Sequence, residues 1–262
     1  MNPIRVIVHG AAGKVGQEVV RAVCGEDDMQ LVGAVDLKAA GDSLSLPDGS
    51  GSVPFATDLG GILTRCQPEV MVDFSIAKAT MPAVRLAAEK GVNLVIGTTG
   101  FSPDEVREVE RLAAENKIGA VMAPNFALGA VLMMHLASIA AKYLDYAEII
   151  ELHHHRKADA PSGTAQLTAR MMAAARDKPF LKPEGKDEAS RGGQVDGVNI
   201  HSVRLPGLMA HQEVILGTAG QTLSIRHDTI NRECYMPGVM LAIRQVVKRK
   251  EFILGLDKLL GL

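Results

Sequence analysis

The chain has no tryptophan, and aromatic residues make up only 3% of its 262 positions. That scarcity argues against a ligand held mainly by base or ring stacking. An excess of one charge sign is missing too. The formal net charge is −2, so no basic field marks a nucleic-acid or anionic-lipid partner. Cysteine is sparse: Cys24, Cys66 and Cys234 are far apart and odd in number. No metal-ligand spacing appears, a disulfide framework is not expected, and a reducing cytoplasm fits best. The longest apolar run, 127–141, is interrupted by His135 and too short for a membrane span. The N-terminus enters a strand-like run at 4–8 without a charged-then-apolar leader, so no signal peptide is expected.

What is present is a βα alternation over the first half. Strands are expected at 5–8, 31–36, 70–74, 94–97 and 119–122, and helices at 14–24, 79–90, 103–116 and 130–143. Continuous apolar strands separated by helices predict a doubly wound parallel sheet of Rossmann type. The Gly-, Ser-, Asp- and Pro-rich stretch 39–54 reads as a surface loop. After about 126 the pattern changes. Strands at 147–153, 198–205, 211–216 and 223–227 with few helices predict an α+β domain with an open mixed sheet, and 176–197 reads as a loop. A final helix at 239–250 returns to the first domain. The expected division is a dinucleotide-binding domain, 1–126 with 237–262, and a substrate and oligomerisation domain, 127–236.

The first strand runs into Gly10-Ala11-Ala12-Gly13-Lys14-Val15-Gly16, which opens a helix. Gly10 permits a tight turn, Gly13 lets the backbone approach a pyrophosphate, and Gly16 allows close helix–strand packing. Asp36 closes the next strand roughly twenty residues on, where an acid accepts from ribose hydroxyls. A plain βα turn is the competing explanation for the glycines alone. Asp36 favours NADH, while Lys38 offers partial compensation for the extra phosphate of NADPH; the usual phosphate-reading Arg is absent, with Leu at 37. Gly97-Thr98-Thr99 and Ala123-Pro124-Asn125-Phe126 follow later strands of the same sheet, where ligands of such sheets sit.

The most chemically loaded stretch is 148–165, Glu-Ile-Ile-Glu-Leu-His-His-His-Arg-Lys-Ala-Asp-Ala-Pro-Ser-Gly-Thr-Ala. His153, His154 and Lys157 precede a Pro-Ser-Gly-Thr turn in which Ser162 is a good N-cap and Gly163 and Thr164 supply backbone N–H groups. Proton transfer, anion binding and a solvated basic loop all remain open for the cations. Three adjacent histidines do not converge on one ion from a strand, so no metal is expected. Cations and free amides together suit a carboxylate.

This stretch resembles the signature of the dihydrodipicolinate (4-hydroxy-tetrahydrodipicolinate) reductase family, E-[IV]-x-E-x-H-x-x-x-K-x-D-x-P-S-G-T-A, and the likeness extends through the glycine turn, the Gly-Thr-Thr-Gly-Phe run at 97–101 and the 123–126 loop. The resemblance implies NADH- or NADPH-dependent reduction of a cyclic dicarboxylate to tetrahydrodipicolinate in the diaminopimelate route to lysine. It places His153 and Lys157 as acid catalysts. His154, Ser162, Gly163 and Thr164 take the substrate positions. Gly10 to Val15, Asp36, Gly97, Thr98, Thr99 and Ala123 to Phe126 take the cofactor positions. It also implies a substrate domain that closes over the Rossmann domain, and a homotetramer built through the substrate-domain sheets. Other amino-acid dehydrogenases lack the Lys-x-Asp-x-Pro-Ser-Gly-Thr arrangement. A redox-sensing binding protein without turnover has no use for His153 and Lys157.

Overall fold

In the computed structural model, which describes residues 2–182, 184 and 189–262, the chain divides into two units, 1–128 with 232–262 and 129–231. The first break falls after 128 and the chain returns at 232, against expected positions of 126 and 237.

The first unit carries β1 (Ile4–His9), β2 (Met29–Val35), β3 (Ser43–Ser45), β4 (Ser52–Ala56), β5 (Val70–Asp73), β6 (Asn93–Ile96) and β7 (Ala120–Met122). The returning chain adds β13 (Phe252–Leu254). The sheet order is β13-β7-β6-β5-β1-β2-β4-β3, with every pair parallel except β3 with β4. Strand order reverses at β1, and such a reversal leaves a crevice at the carboxyl ends of the strands where dinucleotides bind. Strands β5, β6 and β7 are buried at every position, as both-face coverage requires. On one side Ile7, Met71, Leu94 and Ile96 pack with α2 (Leu59–Cys66), α3 (Ala77–Glu89) and α4 (Pro103–Asn116). Helices α1 (Lys14–Cys24) and α7 (Met236–Val246) pack on each other and on the sheet. The unit ends in the short α8 (Leu256–Leu260).

Helix α4 matches its expected bounds because its ends are written in the sequence. Ser102 and Glu105 form a reciprocal capping box, Pro103 occupies the first turn, and Lys117 ends the helix in the left-handed conformation; such a cap contributes about 1 kcal/mol. The stretch 39–54 is not the expected loop. It holds β3 and most of β4, an edge hairpin in which Val53 and Phe55 turn inward while serines face out. The serines and Pro54 masked the alternation. Helix α2 was also missed: Asp58 caps Gly60 and Gly61, two residues that ordinarily weaken helices.

The second unit is built on β8 (Tyr146–His153), β9 (Gly193–Val195), β10 (Val198–Arg204), β11 (Ala210–Thr218) and β12 (Gln221–Thr229), ordered β12-β11-β8-β10-β9. β8 and β10 are parallel and the other pairs antiparallel, so the sheet is mixed. Helices α5 (Leu128–Ala141) and α6 (Gly163–Ala174) supply Met133, Met134, Ala137, Ala165, Ala169 and Met172 to a core over Ile149, Ile200, Val214 and Leu216. The expected 176–197 loop contains a 3-10 turn at Ala189–Arg191 and β9, and part of it lies outside the described residues. Among the described residues no helix is long and apolar enough to cross a membrane.

Candidate active site

The dinucleotide end forms at the carboxyl ends of β1, β2, β6 and β7. Gly10 has φ 83°, and a Cβ there would lie 2.7 Å from the Phe74 carbonyl oxygen. A Cβ on Gly16 would fall 2.0 Å from the Gly10 carbonyl, so only glycine lets α1 approach β1 this closely. Gly13 starts α1 with no side-chain cap, and no acid occupies the first turn. The positive end of the helix is thus left for an anion. Asp36 lies beside this turn: Ala12 N–H donates to its Oδ2 at 2.9 Å and Lys38 N–H to its Oδ1 at 2.8 Å. Each oxygen keeps lone-pair capacity for a hydroxyl. A glycine cradle, an uncapped helix start and a carboxylate with lone pairs to spare fit a dinucleotide.

The flanking loops divide by exposure. Thr99 and Pro124 are exposed and Asn125 is half-buried, with its Oδ1 accepting from Ala127 N–H at 2.9 Å. Ala11, Ala123 and Phe126 are buried, so they can offer a ligand mainly their backbone. Thr98 is buried too, and its hydroxyl donates to Asp73.

In the second unit, Glu151 and His153 lie two apart on β8 and therefore share a face. Glu151 has no exposed side-chain surface. Arg204 forks onto it with two bonds of 2.8 Å, Ser162 N–H donates at 3.2 Å, and His153 Nδ1 lies 2.5 Å from Oε2. Burial works to raise the Glu151 carboxyl, but donors from His153, Arg204 and Ser202 outweigh it and hold it at about 2. An ionised carboxylate only accepts, so His153 Nδ1 carries the proton in this contact and Nε2 is left for exchange.

Arg204 also donates to the Asp159 carbonyl at 2.6 Å, and the Asp159 carboxylate pairs with Lys157 Nζ at 2.8 Å. One guanidinium thus ties the His153 support to the Lys157 loop. That loop ends in a cis Ala160–Pro161 bond. Ser162 then caps α6, its Oγ accepting from Ala165 N–H at 3.2 Å. Its hydroxyl and amide are both engaged inside the fold, which leaves Gly163 and Thr164 as the amides of the first turn. A Cβ on Gly163 would meet nothing within 4 Å, so that turn is open. His154 is half-buried, its Nδ1 has no partner among the described residues, and burial together with adjacent cations lowers its pKa. His155 and Arg156 are exposed.

Two further strand histidines are occupied elsewhere: His201 pairs with Glu148 at 2.6 Å and His211 with Asp228 at 2.7 Å. No group that could hold a metal ion occurs among the described residues. Sequence reasoning treated Glu151 only as part of the strand and missed Arg204 and Asp159. The spacing of Glu151 and His153 on one strand face was the available signal. Nothing in the sequence marked Arg204.

Comparison with known proteins identifies the family. Family models described as dihydrodipicolinate reductase, N-terminus and C-terminus, match residues 4–126 and 129–260. A 4-hydroxy-tetrahydrodipicolinate reductase of Dehalococcoides mccartyi is 59% identical over all of both chains. One from Moorella thermoacetica is 48% identical over 98% of each. The solved dipicolinate-bound dihydrodipicolinate reductase of Paenisporosarcina sp. TG-14 superposes with a TM-score of 0.87 at 43% identity, covering 98% of this chain and 99% of that one. With both halves matched and relatives of this identity along its whole length, the chain belongs to the dihydrodipicolinate reductase family.

Proposed function

We propose that the protein reduces 4-hydroxy-tetrahydrodipicolinate, through its dehydrated form, to tetrahydrodipicolinate in the diaminopimelate route to lysine, with His153 and Lys157 as the proton-handling pair. Held by the Gly10–Val15 turn and Asp36, a nicotinamide would supply the hydride for C4 of the conjugated ring. Charge then moves toward the ring nitrogen and its neighbouring carbon, and one proton completes the reduction. His153, backed at Nδ1 by ionised Glu151, exchanges that proton through Nε2. Lys157, steadied by Asp159, supplies a cation and a second proton source. The ring carboxylates are held by the Gly163 and Thr164 amides, with His154 and Lys157 beside them. Ser162 serves by fixing the helix start.

The observation that carries this reading is the Glu151–Arg204–Asp159 network, which joins His153, Lys157 and the α6 cap in one assembly. The test is NAD(P)H oxidation with freshly generated dihydrodipicolinate. Substrate-dependent oxidation supports the reading, and its absence with both nucleotides overturns it. For the cofactor, Asp36 favours NADH. For assembly, the β8–β10–β11 face opposite α6 carries Ile150, Leu152, Val203 and Ile215 among polar groups, and no helix of the described residues covers it. That supports a homotetramer formed through this face, which light scattering on the eluted protein checks.

A further inference from the structure

In the register of β1 on β5, His9 lies opposite Asp73. The Asp73 carboxylate is fully buried. His9 Nδ1 contacts its Oδ2. Its Oδ1 accepts from the hydroxyls of Thr98 at 2.5 Å and Thr80 at 2.8 Å. Thr98 Oγ1 in turn accepts from Ser75 N–H at 2.9 Å. Burial opposes the Asp73 charge, but His9, Thr98 and Thr80 together keep its pKa below the ordinary range. A buried carboxylate is costly to a fold unless its partners are well placed. Here the network joins the ends of three neighbouring strands, β1, β5 and β6, and the first turn of α3, which supplies Thr80.

Two of these groups, His9 and Thr98, sit at cofactor loops. His9 immediately precedes Gly10. Thr98 lies in the turn after β6. Phe74, directly after Asp73, sets its carbonyl against Gly10, and its ring fills the place a Cβ on Gly97 would take, 2.1 Å away. The same ring packs on Phe126, centroids 5.8 Å apart, in the loop after β7. We propose that His9, Asp73 and Thr98 form a positioning brace that fixes the turn after β6 against the glycine turn, and so orients the nicotinamide end of a bound dinucleotide. The side chains of His9 and Asp73 act through Thr98 and Gly10. The inference rests on nicotinamide-cofactor use and not on the roles given to His153 and Lys157.

The test compares His9→Leu, which removes one donor to Asp73 and leaves those of Ser75, Thr80 and Thr98, with His9→Gln, which keeps an N–H able to reach it. NADH affinity is read by fluorescence titration of the full chain without dicarboxylate, beside kcat, the KM of each substrate, and the melting temperature. The expected result is ~10-fold weaker NADH binding and a matching rise in the NADH KM for His9→Leu. The dicarboxylate KM stays constant and His9→Gln recovers most of the loss. If His9→Leu does not fold, Thr98→Val, which deletes one hydroxyl, carries the same expectation, with Thr98→Ser as its rescue. A folded variant that melts lower yet binds NADH like the parent overturns the brace. A parent that binds neither NADH nor NADPH overturns the cofactor reading and the brace with it. Because nucleotide binding is measured without dicarboxylate, a different dicarboxylate substrate would leave the result unchanged.

Discussion

Arg204 sits opposite His153 in the register of β10 on β8, yet its guanidinium reaches past the imidazole to fork onto Glu151. Both carboxylate oxygens are thereby bonded to a cation. Glu151 orients the ring and holds Nδ1–H without removing the proton. The strand pleat puts Glu151 and His153 on one face, and the parallel neighbour supplies the counter-charge.

Glu151→Gln tests this directly. The amide keeps the shape but offers N–H as well as C=O, so it can pair with the unprotonated Nδ1 and stabilise the other tautomer. It also leaves Arg204 without its anion. The expected outcome is a fall in kcat of about 100-fold, within the range for loss of an oriented general acid, with a smaller change in KM. Nitrogen chemical shifts of His153 are expected to move from an Nδ1–H to an Nε2–H pattern. Parental turnover with an unchanged tautomer would remove Glu151 from the reaction.

The same carboxylate shapes acid stability. Its pKa is depressed in the fold, from 4.5 to about 2. The stability it contributes is therefore complete above about 4.5 and is lost as pH falls toward 2. Its size is about 3 kcal/mol. Urea midpoints measured at a series of acidic pH values should fall more steeply through that window for the parent than for Glu151→Gln. Parallel slopes would show that Glu151 is not held ionised.

Much of this was legible in the sequence where a local cause sufficed. The Ser102–Pro103 start fixed α4, the spacing of Gly10, Gly13 and Gly16 fixed the turn into α1, and Ser162 marked the start of α6. What stayed hidden depends on register. Arg204 is 53 residues from Glu151 and meets it only because β10 inserts beside β8. Asp73 ends a wholly buried strand, where an acid reads as the strand's boundary until His9 and Thr98 are seen around it. Edge strand β3 and its neighbour β4 were hidden by composition, since a serine-rich edge and a loop share residues.

Lys157 pairs with Asp159 and remains partly exposed. Lys157→Ala removes the cation and proton source proposed for the turn before α6. Turnover is expected to drop by about 100-fold or more, with NADH affinity unchanged in a direct titration, because the dinucleotide turn lies in the other unit. Lys157→Arg keeps the charge but not the compact ammonium, and should recover substrate affinity more than kcat. Turnover near the parental rate in Lys157→Ala would take the amine out of the chemistry.

Asp36 is the residue proposed to discriminate between NADH and NADPH. Its oxygens each hold one backbone N–H, from Ala12 and Lys38, and keep room for the ribose hydroxyls of NADH. A 2′-phosphate would meet a carboxylate there. Asp36→Ala removes that charge and frees both N–H groups next to the exposed Lys38, which converts an acceptor site into a donor site. The ratio of kcat/KM for NADH over NADPH is expected to fall by about tenfold, the worth of one good charge-assisted contact. Asp36→Asn separates the two effects, since it loses the charge but still accepts from one of the amides, and its ratio should lie between those of the parent and the alanine variant. A ratio identical in all three proteins would mean that the ribose is held elsewhere.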